Sequence, residues 1–353
     1  MSDKKVIFIT TTNRNSELGG QELYILKLVK ILEKKNISYK IFTPYSIGIK
    51  NEIIISSKKK DFFNAAGMIK KELPNECDKL IIHSNDCYSN LIAYFISYRN
   101  KYRFFVSAII HDVYVSEYMP LILKLKKNFY ELIDKIILKK FDAVIIYSGY
   151  LKEKINFKKK VFFPAGIEEE ASKKEDSKRI GKIGWIGRQD INKKGIDIFF
   201  DIINNFEKSD NDFEYHIAGL NDKNILKKYY KGLPEKIKWY GYIPEKAEFW
   251  NSIDALIVSS RFEGLGLVFL EAVNRNIPVF ASDIPSFMRI KNSLDYPIEL
   301  FELSNAGILK VSGEILKFNK CAFDSKKYSE KCRSLYSFEN LEKKYLNFIE
   351  NVI

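Results

Sequence analysis

The feature that most constrains the fold is a regular alternation of short apolar runs with longer segments of helical periodicity. In the first half of the chain the apolar runs include VIFIT, DKLIIHS, FFVSAII and DAVIIYS, and the segment ELYILKLVKILEKK has helical spacing. Continuously apolar runs are typical of strands buried on both faces, and their alternation with helices predicts a parallel sheet with right-handed crossovers. The first half therefore predicts a doubly wound α/β domain.

The alternation begins again after a charged segment, EEEASKKEDSKR, at 168–179. The later apolar runs include IGKIGWIG, FEYHIAG, KIKWYGYI, DALIVSS and IPVFASD. A chain of 353 residues, 46% of them hydrophobic, is large enough for two cores. We therefore predict two Rossmann-like domains, 1–168 and 169–335, followed by a C-terminal helix over 336–353 that packs back towards the N-terminal domain.

The segment SSRFEGLGLVFLEA, at 259–272, follows a predicted strand, where open α/β sheets bind their ligands. Gly264 and Gly266 lie where the loop becomes a helix, and the free N–H groups of a helix N-terminus attract anions. Glu263 and Glu271 would repel a phosphate, so we expect them to accept hydrogen bonds from hydroxyl groups. A nucleotide sugar combines a diphosphate with such hydroxyls. The alternative is that Glu271 caps the helix or forms a surface salt bridge and that the glycines only make a turn.

A second segment, IGRQDINKKG, also follows a predicted strand and supplies Arg188 and Lys194 before Gly195. A guanidinium binds a diphosphate through two hydrogen bonds, and a lysine adds a mobile charge. Together they would neutralise a nucleoside diphosphate leaving group. The alternative is a pair of surface cations in a chain with 58 lysines and arginines.

These segments resemble the retaining GT-B glycosyltransferases of family 4, the glycosyl transferases group 1, whose signature is two glutamates separated by seven residues. Glu263 and Glu271 have that separation. Asn276 stands where the family usually has glycine, but asparagine tolerates a positive φ. Ala165 replaces a frequent asparagine. The similarity covers almost the whole chain through SELGGQE, YSGYLKEKI, PAGI, IGRQDINKKGIDIF, HIAGL, WYGYIP and EAVNRNIPVFASD.

The resemblance implies an α/β GT-B fold, in which two Rossmann-like doubly wound domains face a central cleft. It also implies roles for individual residues, with the diphosphate on Arg188 and Lys194 and the ribose hydroxyls on Glu271. By this resemblance the substrate-binding residues are Gly19, Gly20, Arg188, Lys194, Tyr242, Ile243, Gly266, Leu267, Val268 and Glu271. The catalytic residues are His111 and Glu263, which position and polarise the reacting sugar.

The reaction implied is transfer of a sugar, with retention, from a nucleotide sugar to a saccharide or lipid-linked saccharide acceptor. A UDP-sugar is favoured as donor, and bacterial surface polysaccharide or lipopolysaccharide synthesis as the pathway. We expect no metal and no other cofactor. The cysteines, at 77, 87, 321 and 332, match neither a zinc knuckle nor a redox dithiol, and the histidines, at 83, 111 and 216, are scattered. Asp210 and Asp212 lie in a polar turn.

A net charge of +13 favours a polyanionic partner, such as nucleic acid, anionic lipid or nucleotide phosphates. A nucleic-acid-binding protein is therefore a remote alternative, against which stand the two acids of the predicted site and the lack of a reader motif. We expect no nucleic acid partner. A nucleotide-sugar epimerase or phosphorylase on the same scaffold is a nearer alternative, because fold does not determine reaction.

The segment 121–141, LILKLKKNFYELIDKIILKKF, predicts a basic amphipathic helix. Its apolar stripe is Leu121, Leu125, Phe129, Leu132, Ile136 and Ile137, and its lysines at 124, 127, 135 and 139 lie outside the stripe. The stripe either lies on an anionic membrane or packs on the N-terminal sheet. No export signal or membrane span is recognisable, so we expect a cytoplasmic protein, peripheral on the inner face of the cell membrane.

Overall fold

The computed structural model of the chain describes residues 5–11, 20–56, 58, 61–73, 80–98, 104–110, 132–147, 157, 159–168, 179–187, 191–209, 211–219, 236–243 and 245–352. The chain folds into two compact units. Unit 1 comprises Met1–Gly166 and Phe338–Ile353, and unit 2 comprises Ile167–Ser337. Most of the charged segment predicted as a linker, 169–178, lies outside the described residues.

The elements are numbered along the chain within the described ranges. The strands are β1 (Lys5–Ile9), β2 (Ser38–Thr43), β3 (Glu52–Ile54), β4 (Leu80–Ser84), β5 (Phe105–Ile110), β6 (Ala143–Ile146), β7 (Lys160–Phe162), β8 (Lys182–Ile186), β9 (Glu214–Ala218), β10 (Ile237–Gly241), β11 (Ala255–Val258) and β12 (Val279–Ala281). The helices are α1 (Gly20–Lys34), α2 (Phe62–Lys71), α3 (Cys87–Tyr98), α4 (Ile191–Lys194), α5 (Ile196–Glu207), α6 (Ala247–Ser252), α7 (Leu267–Asn274), α8 (Pro285–Leu294), α9 (Asn305–Lys317), α10 (Ser325–Tyr336) and α11 (Phe338–Asn351). Residues 132–138 are also helical.

Unit 1 contains a seven-stranded sheet in the order β3-β2-β1-β4-β5-β6-β7, and every strand pair is parallel. The predicted parallel α/β architecture is confirmed here. The sequence patterns did not predict β3 and β7, which have only three residues each and are half-buried or exposed. Such short edge strands lack the long apolar run that marks a strand buried on both faces.

The two faces of the unit 1 sheet are covered by different helices. Alternate residues of the central strands, such as Ile7, Ile82 and Val106, pack in one core with α2 and α3. Their neighbours point to the opposite face, where α1 contacts α11. There His83 of β4 packs against Tyr345 of α11. The α11 helix thus completes the core of unit 1.

The His83 imidazole is buried and fully hydrogen-bonded. Its Nδ1 lies 2.6 Å from the Ser107 hydroxyl oxygen, and its Nε2 lies 3.1 Å from the Tyr345 hydroxyl oxygen. Burial lowers the pKa of His83 to about 3. The neutral ring therefore joins two neighbouring strands to a helix that lies far along the chain, since Tyr345 is separated from it by 262 residues.

Unit 2 contains a five-stranded parallel sheet in the order β10-β9-β8-β11-β12. After β8 the chain adds β9 and β10 on one side of it, and then β11 and β12 on its other side. The strand order therefore reverses between β8 and β11, and such a switch point is where doubly wound sheets bind ligands. The helix α5 packs on α9, and α7 packs on α10.

In its described part, the predicted apolar stripe of the 121–141 helix does not pack on the N-terminal sheet as a whole. Leu132 and Ile136 are 57% and 60% exposed, whereas Ile137 and Leu138 are buried. The buried face also contains Asp134, which accepts a 3.1 Å hydrogen bond from the Asn90 amide. Because a polar residue belongs to the buried face, a pattern of apolar residues alone does not define that face. The rest of the stripe, 121–131, lies outside the described residues.

The cysteines and the polar turn can be located in part, although Asp210 lies outside the described residues. Cys87, Cys321 and Cys332 are free thiols, and Cys77 lies outside the described residues. Asp212 is exposed and forms an ion pair with Lys236, as expected for a solvated turn. Within the described ranges, no group of three or more His, Cys, Asp or Glu side chains is placed to hold a metal ion. Among the same residues, no helix combines the length and apolar composition that a membrane crossing requires.

We predict that acid destabilises unit 1 through His83. Its pKa is about 6.5 in an unfolded chain and about 3 in the folded state, so between these values only the unfolded state takes up the proton. The stability that neutral His83 contributes is complete above its pKa in the unfolded state. It is lost as the pH falls towards the pKa of His83 in the folded state. Between about pH 7.5 and about pH 5, wild type should lose about 2 kcal/mol more stability than His83→Gln.

Urea unfolding at the two pH values, followed by far-UV circular dichroism, measures this difference. All three tryptophans, at 185, 239 and 250, lie in unit 2, so their fluorescence provides an internal control. An equal pH dependence in wild type and His83→Gln would contradict the prediction.

Candidate functional site

The carboxyl edge of the unit 2 sheet is lined by small residues. Gly187 follows β8, Gly219 follows β9, and serines at 259, 260 and 282 follow β11 and β12. Gly219 has φ +85°, and a Cβ on it would lie 2.4 Å from the Gly187 carbonyl oxygen. The strand ends therefore approach each other too closely for larger side chains, which keeps the backbone of this edge accessible to a ligand.

The loop that follows β8 is fixed to the end of β11 at the switch point. The Ser259 hydroxyl donates a 2.6 Å hydrogen bond to the Gly195 carbonyl oxygen and accepts one of 3.1 Å from the Trp185 indole. Gly195 has φ +63°, and a Cβ there would lie 2.1 Å from the Ser259 carbonyl oxygen. Only glycine fits this position, and it places the preceding residue, Lys194, beside the β11 loop.

Lys194 and Glu263 form a largely buried ion pair at this edge. The Lys194 ammonium donates a short hydrogen bond to Oε1 of Glu263, and the same oxygen accepts a 3.0 Å bond from the Ser260 hydroxyl. Their side chains are only 17% and 12% exposed.

The electrostatics keep Glu263 ionised. Burial raises the pKa of its carboxyl group, but attraction by Lys194 and Lys193 acts in the opposite direction. The hydrogen bonds from Lys194 and Ser260 lower it further, and the net result is a pKa below the usual value. At neutral pH the site therefore holds a charged pair whose cation lies at the sheet edge.

The helix α7 begins beside this pair with Gly266 as its N-cap, at φ +83°. A Cβ on Gly266 would lie 2.5 Å from the Phe287 ring, so both conformation and space require glycine. The first two helical N–H groups, those of Leu267 and Val268, have no carbonyl group four residues earlier in the helix to pair with. A helix N-terminus of this kind favours an anion. Asn276 beyond the helix has φ +64°, as its sequence position predicts.

Glu271 lies in the second turn of α7, where its apolar neighbours Leu270 and Ala272 are buried. Its carboxylate accepts hydrogen bonds of 3.1 and 2.9 Å from the Lys246 ammonium, one on each oxygen. Lys246 is the N-cap of α6 and belongs to the loop that follows β10. The sequence patterns did not identify Lys246.

Another ion pair was also missed. Arg261 binds the carboxylate of Asp197 through two hydrogen bonds, one to each oxygen, and the bond from Nη1 is 2.9 Å long. Asp197 lies in the first turn of α5, directly after the loop that carries Lys194. A signal was present in the sequence, because Arg261 lies between Ser260 and Glu263. The pair ties the β11 loop to α5.

The sequence-predicted residues fall into three groups. Those at the carboxyl edge of the unit 2 sheet are Lys194, Tyr242, Ile243, Glu263, Gly266, Leu267, Val268 and Glu271. Gly20 is the first residue of α1 and belongs to unit 1. Gly19, His111 and Arg188 lie outside the described residues. Tyr242 and Ile243 directly follow β10, and the Tyr242 side chain is exposed at the sheet edge.

This arrangement has the chemistry of a site for an anion with neighbouring hydroxyl groups. Two carboxylates flank the α7 N-terminus along the chain, Glu263 before Gly266 and Glu271 in the second helical turn, and each forms an ion pair with a lysine. The ammonium groups and N–H groups can donate to phosphate oxygens, while the carboxylates can accept from hydroxyls.

The family described as glycosyl transferases group 1 matches residues 181–295 of the chain. This match contains Lys194, Glu263 and Glu271. Among curated proteins, the O-antigen biosynthesis glycosyltransferase WclY of Escherichia coli is 27% identical over 165 residues. The aligned region covers 45% of this chain and 44% of WclY, so the chain matches less than half the length of that relative.

Solved structures are similar over nearly the entire chain. Sucrose-phosphate synthase from Thermosynechococcus elongatus has a TM-score of 0.80 at 16% identity, with 99% of each chain covered. The Anabaena protein HepE, solved in complex with UDP-glucose, has a TM-score of 0.73 at 14% identity, with 98% of this chain and 99% of HepE covered. Residues 181–295 thus match the family of glycosyl transferases group 1, and the whole chain has the GT-B fold.

Proposed function

We propose that the protein is a glycosyltransferase that moves a sugar from a nucleotide sugar to a saccharide or lipid-linked saccharide acceptor. The observation that carries this proposal is the pair of lysine-neutralised carboxylates, Glu263 and Glu271, on either side of the α7 N-terminus. A nucleotide sugar requires such a combination, because its diphosphate needs cations and N–H groups while its sugar and ribose need hydroxyl acceptors.

A UDP-sugar is the favoured donor, and surface polysaccharide or lipopolysaccharide synthesis the favoured pathway. The Anabaena neighbour holds UDP-glucose, and the Escherichia coli relative acts in O-antigen biosynthesis. In the proposed binding mode, Glu271 accepts from the ribose hydroxyls and Glu263 lies beside the donor sugar. Tyr242 and Ile243, which follow β10, lie near the base.

The proposed reaction breaks the bond between the anomeric carbon and the diphosphate and forms one to an acceptor hydroxyl oxygen, with retention of configuration. Negative charge develops on the departing diphosphate as the sugar becomes cationic. Lys194, Arg188 and the α7 N-terminus stabilise that charge most strongly in the transition state, which lowers the barrier. They supply the charge that a metal ion would otherwise provide. We assign His111 and Glu263 to the reacting sugar, and Gly19 and Gly20 to the phosphates.

One face of unit 1 supports peripheral membrane association. The helices α2, α3 and the helical residues 132–138 lie on the same side of the sheet, because their two core clusters share Phe141. This face presents large apolar side chains to solvent, namely Phe63, Tyr98, Leu132 and Ile136. Exposed lysines on the same helices are Lys70, Lys71 and Lys135, and the exposed Lys139 directly follows residues 132–138. Such a face suits an anionic lipid surface, because the apolar side chains can insert between the lipids while the lysines attract the anionic headgroups.

We predict that Glu271→Gln weakens binding of a nucleoside diphosphate by about tenfold or more, because a hydrogen bond to a charged group contributes about 1.5–3 kcal/mol. Isothermal titration calorimetry of wild type with UDP, GDP and ADP first identifies the nucleotide that binds. Glu248→Gln is the matched control, since Glu248, which lies on α6, forms an exposed ion pair with Lys238 of β10. Equal affinities in wild type and Glu271→Gln would refute the proposed donor site.

Incubation with a nucleotide sugar in the absence of acceptor distinguishes the alternative enzymes. A glycosyltransferase should only hydrolyse the donor slowly, whereas an epimerase would convert it into another nucleotide sugar. Addition of inorganic phosphate should change nothing if the protein is a glycosyltransferase. Formation of a sugar phosphate would instead identify a phosphorylase. Nuclear magnetic resonance of the anomeric protons follows all three outcomes.

We predict that the double variant Leu132→Ser and Ile136→Ser binds vesicles containing phosphatidylglycerol at least about tenfold more weakly than wild type. Each exposed apolar side chain contributes about 1.5–3 kcal/mol when it is buried in lipid. The control is the pair Leu309→Ser and Leu316→Ser, which removes two exposed leucines from α9 of unit 2. Co-sedimentation measures both. Undiminished binding by the first variant would contradict the prediction.

A further inference from the structure

Lys246 is the cation that forms an ion pair with the Glu271 carboxylate. Its ammonium contacts both carboxylate oxygens, at 3.1 and 2.9 Å. The side chains of Lys246 and Glu271 are 28% and 17% exposed. An ion pair that is only partly accessible to water is less weakened by solvent than an exposed one, so it holds the carboxylate in a defined orientation.

The position of Lys246 follows from the fold. It lies five residues after the end of β10 and directly before α6, whereas Glu271 lies on the helix that follows β11. Both loops start at the carboxyl edge of the same sheet. The pair therefore bridges the loop that carries Tyr242 to the helix that carries the anion-binding N–H groups.

The pair solves an electrostatic conflict within the proposed donor site. A carboxylate close to a diphosphate would repel it, and this repulsion is strong where water is partly excluded. At the other carboxylate, Glu263, the conflict is removed by Lys194. Lys246 has the same relation to Glu271, so that each acid of the site has its own lysine.

The contact does not prevent Glu271 from accepting hydroxyl groups. Each carboxylate oxygen has two lone pairs, and the Lys246 ammonium uses one on each oxygen. One lone pair per oxygen remains, which matches the two adjacent hydroxyls of a ribose. The lysine can therefore stay in place when a ligand binds, and a third N–H of the ammonium group stays available.

We propose that Lys246 is a positioning residue of the donor site, which holds the Glu271 carboxylate in the orientation that accepts the two ribose hydroxyls and neutralises it towards the diphosphate. This inference rests on the proposed function. It makes recognition of the ribose depend on a residue outside the paired-glutamate segment, and it assigns the loop after β10 to ribose recognition as well as to the base.

The test combines substitution of Lys246 with removal of a ribose hydroxyl. Calorimetry measures the affinity of wild type, Lys246→Met, Lys246→Arg and Lys236→Met for the nucleoside diphosphate that wild type binds and for its 3′-deoxy analogue. Lys236→Met is the control, because Lys236 forms an exposed ion pair just before β10, at the opposite end of that strand. Thermal unfolding of each variant verifies that it is folded.

We expect Lys246→Met to bind the nucleoside diphosphate about tenfold more weakly than wild type, with Lys246→Arg recovering most of the loss. Loss of the 3′-hydroxyl should cost wild type and Lys236→Met about tenfold but cost Lys246→Met less than about threefold, because its carboxylate is no longer oriented. A variant that is only partly folded would bind the nucleoside diphosphate and its 3′-deoxy analogue more weakly by the same factor. The ratio of these two affinities would then equal that of wild type.

The inference is overturned if Lys246→Met binds as well as or better than wild type, or if its penalty for the 3′-deoxy analogue equals that of wild type. In those cases wild type still binds the nucleotide and the proposed function stands. If wild type binds none of UDP, GDP and ADP, the proposed function fails and this inference fails with it.

Discussion

A parallel sheet brings the carboxyl ends of all its strands to one edge, and the site in unit 2 depends on this constraint. The segments that carry Lys194, Lys246 and Glu263 follow β8, β10 and β11, which are far apart in sequence but end at the same edge. Glycines make the close approach possible. Gly195 and Gly266 both have positive φ, and a Cβ at either would collide with the neighbouring loop or helix.

Charge compensation is the second principle of the site. Lysine and arginine side chains neutralise three carboxylates at this edge, those of Asp197, Glu263 and Glu271. Acids can therefore lie close to a predicted diphosphate position without repelling the ligand. In addition, the acids keep the lysines oriented before a ligand arrives, so that less reorganisation is needed when charge develops on a leaving group. The pKa of Glu263 below its usual value is the electrostatic consequence of that arrangement.

Local sequence predicted what is local in the structure. The two parallel sheets, the helix start at Gly266 and the positive φ of Asn276 all follow from contiguous segments. The pairing of Lys246 with Glu271 spans 25 residues, and that of Arg261 with Asp197 spans 64. Such pairs depend on the order of strands in the sheet, which hydrophobic periodicity does not encode.

The helical residues 132–138 show the other limit of sequence patterns. A buried Asp134 with a hydrogen-bond partner on α3 rotates the buried face away from the apolar stripe. In the same way, the burial of His83 depends on Tyr345, which comes from the far end of the chain. Polar residues whose partners lie on distant elements are therefore the positions at which periodicity alone gave an incomplete answer.

The most direct test of the central claim is a crystal structure of the protein with the nucleoside diphosphate that it binds. We predict that the diphosphate lies within hydrogen-bonding distance of the N–H groups of Leu267 and Val268 and of the Lys194 ammonium, with the ribose hydroxyls on Glu271. A nucleotide bound away from the carboxyl edge of the unit 2 sheet, or one whose ribose does not contact Glu271, would contradict the claim.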